Sequence, residues 1–397
     1  VTAAEAGPRP SDWFPLQLHD GVDAEQRSAW LAARRARTPV EPIAAVPGAE
    51  PVWLVYRYGD AVAVLADDAG FSLGVVEERY GAVLGRSMLT LAPRARRALR
   101  RVVAGHLSPG APGVADVVQA VVAERVAALA AAAEGPVDLV PLLAGNVPAR
   151  VLVRLLGLPE EEWRAVAALA SAAAGFLTDP RGALRAARGL RRSYTDLVRG
   201  AGARDGLVAA LARAEVDGRP LDEAEVVASL LLLTWAGTET AVPAIATCLY
   251  AVLSDPVVQE AVRADSALAG AAVDESLRWE APVQVTSRRA ERATQVAGTP
   301  IPAGATVLVH LGSANRDERV FPAPDRFDLT RPVGPPGHLA FGSGAHRCLG
   351  WRLARAEVAG CLQALLARFP EIRLAAGSPP PEGEVLRSPR RLLVHLH

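Results

Sequence analysis

Cys348 lies in the run Phe341-Gly-Ser-Gly-Ala-His-Arg-Cys348-Leu-Gly350, directly ahead of a helical stretch at 351–369. Gly342, Gly344 and Gly350 free the backbone for positive φ and for close approach to a flat ligand. A cysteine just before a helix start sits where the dipole and unpaired N–H groups favour the thiolate, and a thiolate can ligate iron. The competing reading is a glycine turn around a buried free thiol. A second unusual stretch is Ala236-Gly237-Thr238-Glu239-Thr240, three polar side chains in a helix that is apolar nearly all round at 230–235. Hydroxyls bonding back to the preceding turn would explain it without function. Pro243 lacks an N–H and leaves the carbonyl of Glu239 without its helical partner, so the sequence predicts a kink there. Glu275 and Arg278, three apart, share a helix face. That spacing suits a solvated surface pair equally well.

The elements that position these groups must come from a chain of 397 residues whose 43 acidic and 43 basic side chains cancel. No global field therefore draws it to nucleic acid or to an anionic membrane, and neither is expected as a partner. Half of the residues are apolar, enough for a sizeable core. The stretch 1–20 is polar and proline-bearing, without the order of a secretion signal or the length of a membrane span, so a cytoplasmic protein is expected. Three cysteines are too few and too irregularly spaced for a disulfide framework. Cys248 and Cys361 fall in apolar helical runs and read as small buried hydrophobes.

Most of 24–277 reads at helical period, with short strand-like pieces at 52–56, 283–286, 306–310 and 392–396. No repeat or long linker divides the chain, so 1–397 reads as one domain, mainly α with a small β region. The longest helix opens with Asp222 as N-cap and Glu225 three residues on, runs through 230–250 and stops before Asp255-Pro256. At 1.5 Å per residue it spans roughly 45 Å, enough to cross the domain.

Extended by Leu353-Ala354-Arg355, the cysteine pattern resembles the haem-binding signature of the cytochromes P-450. The resemblance implies the cytochrome P-450 fold, with haem b between the long central helix and the cysteine loop. Cys348 is then the iron ligand, with Phe341, Gly342 and Gly350 around the cofactor. The stretch 236–240 is similar to the family's oxygen-activation segment. That implies room above the iron at Ala236 and Gly237, a hydrogen bond from Thr240 to the distal oxygen, and proton relay by Glu239. The thiolate is expected to push electron density towards O–O cleavage. Glu275 and Arg278 match the family's Glu-x-x-Arg pair, and Arg326 is the implied third member of a buried network. Arg100, Arg288 and His346 fall where propionate partners usually stand; Arg96 replaces a commonly found histidine and keeps a charge. Ser343 replaces a frequent aromatic, and Trp235 is bulkier than the aliphatic residue usual before Ala236.

The implied activity is a monooxygenase, R–H + O2 + 2e– + 2H+ to R–OH + H2O, hydroxylating or epoxidising a small organic molecule as a tailoring step on a bacterial natural product. Electrons are expected from NAD(P)H through a separate ferredoxin and ferredoxin reductase. Arg97, Arg101 and Arg352 are candidates for docking an acidic ferredoxin, against the plainer reading of a solvated face. The pocket is expected from 70–88, 167–187, 232–240, 283–286 and 386–388. Its named lining is Leu232, Leu233, Trp235, Val283, Val285, Thr286, Leu386 and Arg387, with Arg86 or Arg387 facing a polar substrate group. A monomer is expected, and a free or a carrier-bound substrate stays open. Phenol coupling, peroxide-driven oxidation and a non-catalytic haem sensor or carrier are the alternatives; intact Glu239 and Thr240 speak against the peroxide reading.

Overall fold

The computed structural model describes residues 24–43, 51–89, 91–131, 135–174, 180–200, 206–332 and 334–397. The polar start at 1–20 and the part 175–179 of the expected pocket lie outside them. The capping box at Asp222 forms as the sequence predicts: its carboxylate accepts from the Glu225 N–H at 2.8 Å, and Glu225 accepts from the Asp222 N–H at 3.1 Å. Two otherwise orphaned donors are thereby satisfied at the helix start. From there Glu223–Thr238 buries Leu230, Leu231, Leu232 and Leu233, each contributing about 2 kcal/mol relative to exposure.

The expected single helix to Leu253 is two helices, Glu223–Thr238 and Ala241–Leu253, because regular helix lapses at Glu239 and Thr240. Pro243 cannot donate to the Glu239 carbonyl, so the break falls one turn before it, as the missing N–H dictates. The hydroxyl of Thr238 donates to the Thr234 carbonyl at 2.6 Å and that of Thr240 to the Ala236 carbonyl at 3.2 Å. These side chains satisfy carbonyls around the irregular turn.

The broken helix joins two hydrophobic cores. Its first half packs with Pro93–Leu107, Trp163–Ala174 and Pro180–Arg199. Its second half packs with Val114–Ala131, Leu268–Trp279 and Trp351–Arg368, where Cys248 and Cys361 are fully buried. The 31 residues Glu223–Leu253 are long and apolar enough to cross a membrane, but 67% of the apolar window is buried inside the fold. They form a core element.

Beside the helices stands a five-stranded sheet in the order Val40–Ile43, Val52–Val55, Thr306–His310, Val285–Ala290, Phe71–Ser72. Thr306–His310 runs parallel to Val52–Val55 and antiparallel to Val285–Ala290. Successive strand residues face opposite sides, so Thr286 and Arg288 share one face and Val285 and Ser287 the other. Val285 packs with Leu31, Leu54, Tyr56 and Leu308. A second small sheet pairs Ile372–Leu374, Leu393–Leu396 and Val137–Asp138.

Candidate active site

The cysteine loop is closed by its own backbone. The Cys348 N–H donates to the Phe341 carbonyl at 2.8 Å, and the Arg347 N–H to the Gly344 carbonyl at 3.1 Å. Gly342 and Gly344 take φ of 67° and 69°, the left-handed region that glycine tolerates. At Gly344 a Cβ would stand 2.5 Å from the Leu65 carbonyl oxygen, so the loop lies directly on the helix Tyr58–Ala66. Gly350 corrects the sequence expectation in one respect. It caps Trp351–Arg368 at φ –82°, so positive φ does not require a glycine there.

The Cys348 side chain is solvent-accessible but walled by protein. Burial pushes its thiol up, opposed by a hydrogen bond from the Gly350 N–H and by the positive charges of Arg100 and Arg347. A bound metal ion would reverse that balance, since the thiolate is the ligating form. The neighbouring Leu349 packs against the core that holds Leu230–Leu233, and Phe341 against the core around Ala241–Leu253. Both halves of the broken helix thus share a core with the cysteine loop.

Donors gather at Asp68. Arg96 is buried and pairs with Asp68 Oδ2 at 2.5 Å, while His346 Nε2 meets Oδ1 at 2.5 Å. Burial opposes ionisation of Asp68, yet hydrogen bonds from Arg96 and His346 hold its carboxyl below the usual range. Burial and the Arg96 charge lower His346 to about 4, so it acts near neutral pH as an uncharged imidazole. Arg288, 4% exposed, donates to the Ser287 carbonyl at 2.8 Å and feels Asp68 only through space. Among the described residues it has no carboxylate within ion-pair distance, and burial lowers it to about 10. The Nε of Arg96 is likewise buried without an acceptor. A buried cation without an anion is costly, so this rim fits a ligand that brings carboxylates, as haem does with its two propionates. Arg100 stands apart, donating to the Arg347 carbonyl at 2.6 Å beside Cys348.

At the helix break, burial raises Glu239 to about 7, opposed by the indole N–H of Trp235 one turn before it. Ala236 is exposed at this turn. At Gly237 a Cβ would lie 3.0 Å from Leu152 Cδ1, so its glycine serves packing against Val147–Leu156.

Glu275 and Arg278 form the expected buried pair, with Nε to Oε2 at 2.7 Å and Nη2 to Oε1 at 2.8 Å. The third arginine is Arg331, whose Nε lies 3.2 Å from both Glu275 oxygens. Arg326 contributes only its backbone carbonyl, which accepts from Arg278 at 3.1 Å. Sequence distance from Glu275 gave no means of choosing between two arginines five residues apart.

Several pocket expectations are also corrected. Val285 points to the opposite sheet face from Arg288. Arg387 is buried and bound to Glu280 at 3.1 Å, in a cluster with Arg316 at 3.4 Å and Arg27 at 3.8 Å. Arg86 bonds to Glu225 at 2.5 Å, which also holds Arg219. Arg387 is therefore closed to substrate, whereas Arg86 is half-exposed and engaged through one guanidinium nitrogen. Leu232 and Leu233 belong to the helical core. Val283 and Leu386 meet in an isolated bridge, and Thr286 shares the Arg288 face. Trp235 stacks on Tyr80 with ring centroids 4.5 Å apart. Asp68 escaped the sequence reading because it belongs to no motif, and Tyr80 was covered only as part of the stretch 70–88; folding brings both to residues that do belong to one.

Residues 190–394 match the protein family described as Cytochrome P450. The chain is 38% identical over 353 residues to the cytochrome P450 monooxygenase PikC of Streptomyces venezuelae, covering 86% of this chain and 84% of that one. A mutant of P450 EryK in complex with erythromycin B superposes with a TM-score of 0.82 at 29% identity, over 96% of this chain and 97% of that one. P450BioI in complex with an acyl carrier protein ligated to hexadec-9Z-enoic acid gives 0.80 at 26% identity, over 94% and 99%.

Proposed function

The chain belongs to the cytochrome P450 family, and on that premise we propose how its own residues divide the work of the reaction. It is a monooxygenase that tailors natural products, with the family's fold, a haem-iron cofactor, O2 as co-substrate and electrons derived from NAD(P)H through redox partners. When bound, the haem supplies the iron centre at which dioxygen is reduced and one oxygen atom is passed to substrate.

In this proposal Cys348 is the iron ligand and Arg96 and Arg288 hold the propionates by charge, while His346 gives its single N–H to Asp68 and so fixes the carboxylate that Arg96 shares. Arg100 stays beside the thiolate and favours it electrostatically. Thr240 turns its hydroxyl from the Ala236 carbonyl towards the pocket, and Glu239 exchanges a proton with that hydroxyl. A carboxyl near pKa 7 is suited to the task, because both of its protonation states are accessible at neutral pH. The observation that carries the reading is the accessible thiol of Cys348 beside a rim of buried donors, Arg96 and Arg288, that lack sufficient carboxylate.

The substrate we propose is an apolar natural product, presented free or on a carrier protein, the latter supported by the likeness to the carrier-bound P450BioI. A ferredoxin is the proposed electron donor. Its docking face centres on Trp351, over which Arg347 and Arg352 stack at 4.7 and 4.9 Å, flanked by exposed Arg97 and Arg101. We read the whole of 1–397 as one such domain, working as a monomer in the cytoplasm.

The test is the spectrum of the reduced, carbon-monoxide-treated protein. The expected result is the long-wavelength Soret band of thiolate ligation, lost in Cys348→Ala. A protein that takes up haem but keeps the same band after that substitution would remove Cys348 from the role. For the distal pair, Thr240→Ala is expected to lower product formed per reductant consumed about tenfold, with substrate binding little changed.

A further inference from the structure

Trp235 stands one helical turn before Glu239, at i and i+4 on one face of the central helix. Side chains on a helix lean towards its N-terminus, which sends the Glu239 carboxyl back towards Trp235. The indole Nε1–H is buried and finds no acceptor at hydrogen-bond geometry. A buried donor left unmade is costly, so its side chain has a reason to swing the short way to an acceptor. Its ring is held by Tyr80 of Gly74–Leu84, with centroids 4.5 Å apart and an interplanar angle of 35°. Among the described residues no charged side chain perturbs Glu239, and burial and the Trp235 N–H are its two influences. The nearby Tyr194 is taken up by a hydrogen bond to Thr234.

We propose that Trp235 is a positioning residue for Glu239: its N–H holds the ionised carboxylate, and stacking on Tyr80 ties that hold to the helix Gly74–Leu84. This rests on the reading of Glu239 as the proton-relay group. It gives the bulky residue before Ala236 a role beyond filling the pocket. It also means that a shift of Gly74–Leu84 is felt at the carboxyl. Donation from an N–H favours the ionised form, so losing it raises the pH at which Glu239 gains its proton.

The experiment is a pH titration of the Glu239 carboxyl by infrared difference spectroscopy on the haem-loaded protein, with the band identified by its loss in Glu239→Gln. Trp235→Phe keeps the ring and removes the N–H; the expected result is a midpoint about one pH unit higher, a roughly tenfold change in the ionisation constant. Tyr80→Leu keeps the N–H and removes the stacking, and should move the midpoint the same way by less. Trp235→Gln, which returns an N–H donor, should bring it back. Unchanged midpoints in Trp235→Phe and Tyr80→Leu overturn the proposal, and Tyr80→Leu alone decides it if the Phe variant loses haem. Failure of the relay reading looks different: the carboxyl band would move as stated, while Glu239→Gln left the pH profile of turnover unaltered.

Discussion

Asp68 and His346 are 278 positions apart in sequence, yet their side chains meet at 2.5 Å, with Arg96 on the other carboxylate oxygen at 2.5 Å. The helix Tyr58–Ala66, against which the cysteine loop is pressed at Gly344, leads directly into Asp68. One carboxylate therefore ties the loop after that helix both to the cysteine signature and to the helix Pro93–Leu107.

Asp68→Asn leaves the buried Arg96 without its anion and is expected to destabilise the haem-free protein by about 1–3 kcal/mol in urea denaturation. The folded-state pKa of Asp68 is depressed, so its stabilisation is present above the ordinary carboxylate range and is lost as pH falls through the lower folded value. The gap between wild type and variant should close under acid. A gap that persisted below the folded pKa would show that the carboxylate charge is not its source.

The network under the loop separates two neighbouring arginines. Arg278→Ala uncovers a buried carboxylate and frees three backbone carbonyls, an expected loss of about 3–5 kcal/mol. Arg331→Ala removes one of two guanidinium partners and should cost about 1–3 kcal/mol. Arg326→Ala, which keeps the carbonyl in use, should stay within about 0.5 kcal/mol. Equal effects at 326 and 331, by thermal unfolding, would contradict the geometry.

The glycines of the signature should differ in the same graded way. Gly344→Ala meets both positive φ and the Leu65 carbonyl, and is expected to cost about 3 kcal/mol and to impair haem retention. Gly342→Ala meets only the positive φ, for about 1–2 kcal/mol. Gly350→Ala meets no strained φ and no protein atom, and should leave the melting temperature of the haem-free protein near wild type. Melting temperatures and haem content of the three variants check the order.

Glu357 predicts an alkaline weakness. It is 2% exposed among the apolar residues of Trp351–Arg368, and burial raises its pKa from 4.5 to about 8. Between those values the unfolded chain releases the proton and the folded one keeps it. The native state binds more protons there, so stability falls with rising pH and the full penalty applies above about pH 8. Glu357→Gln should remove that slope, gaining on the order of a few kcal/mol at pH 8 and little at pH 4. Parallel pH dependence of wild type and variant would place the weakness elsewhere.

Reversing Arg97 and Arg352 to glutamate should raise the ferredoxin KM roughly tenfold at low salt, with kcat at saturating partner nearly kept, since rim charges act mainly on encounter. An unchanged KM would move the docking site off this face.

Local chemistry along the chain already dictates several of these features. The capping box at Asp222 and Glu225 starts a helix wherever that helix packs, and the absence of an N–H at Pro243 breaks the turn at Glu239 and Thr240 in any tertiary setting. The spacing of Glu275 and Arg278 puts them on one face, and the pattern around Cys348 carries the family. The rest was decided by contacts between segments far apart in the chain. Charge alone cannot say which arginine reaches a carboxylate, so Arg331 stands where Arg326 was expected. Arg387, a candidate for substrate, is spent on Glu280. The pleat of Val285–Ala290 turns Val285 away from the face that carries Arg288. Asp68 has no motif at all; it gains a role because desolvated donors from three elements converge on it, and convergence of that kind exists only once the chain has folded.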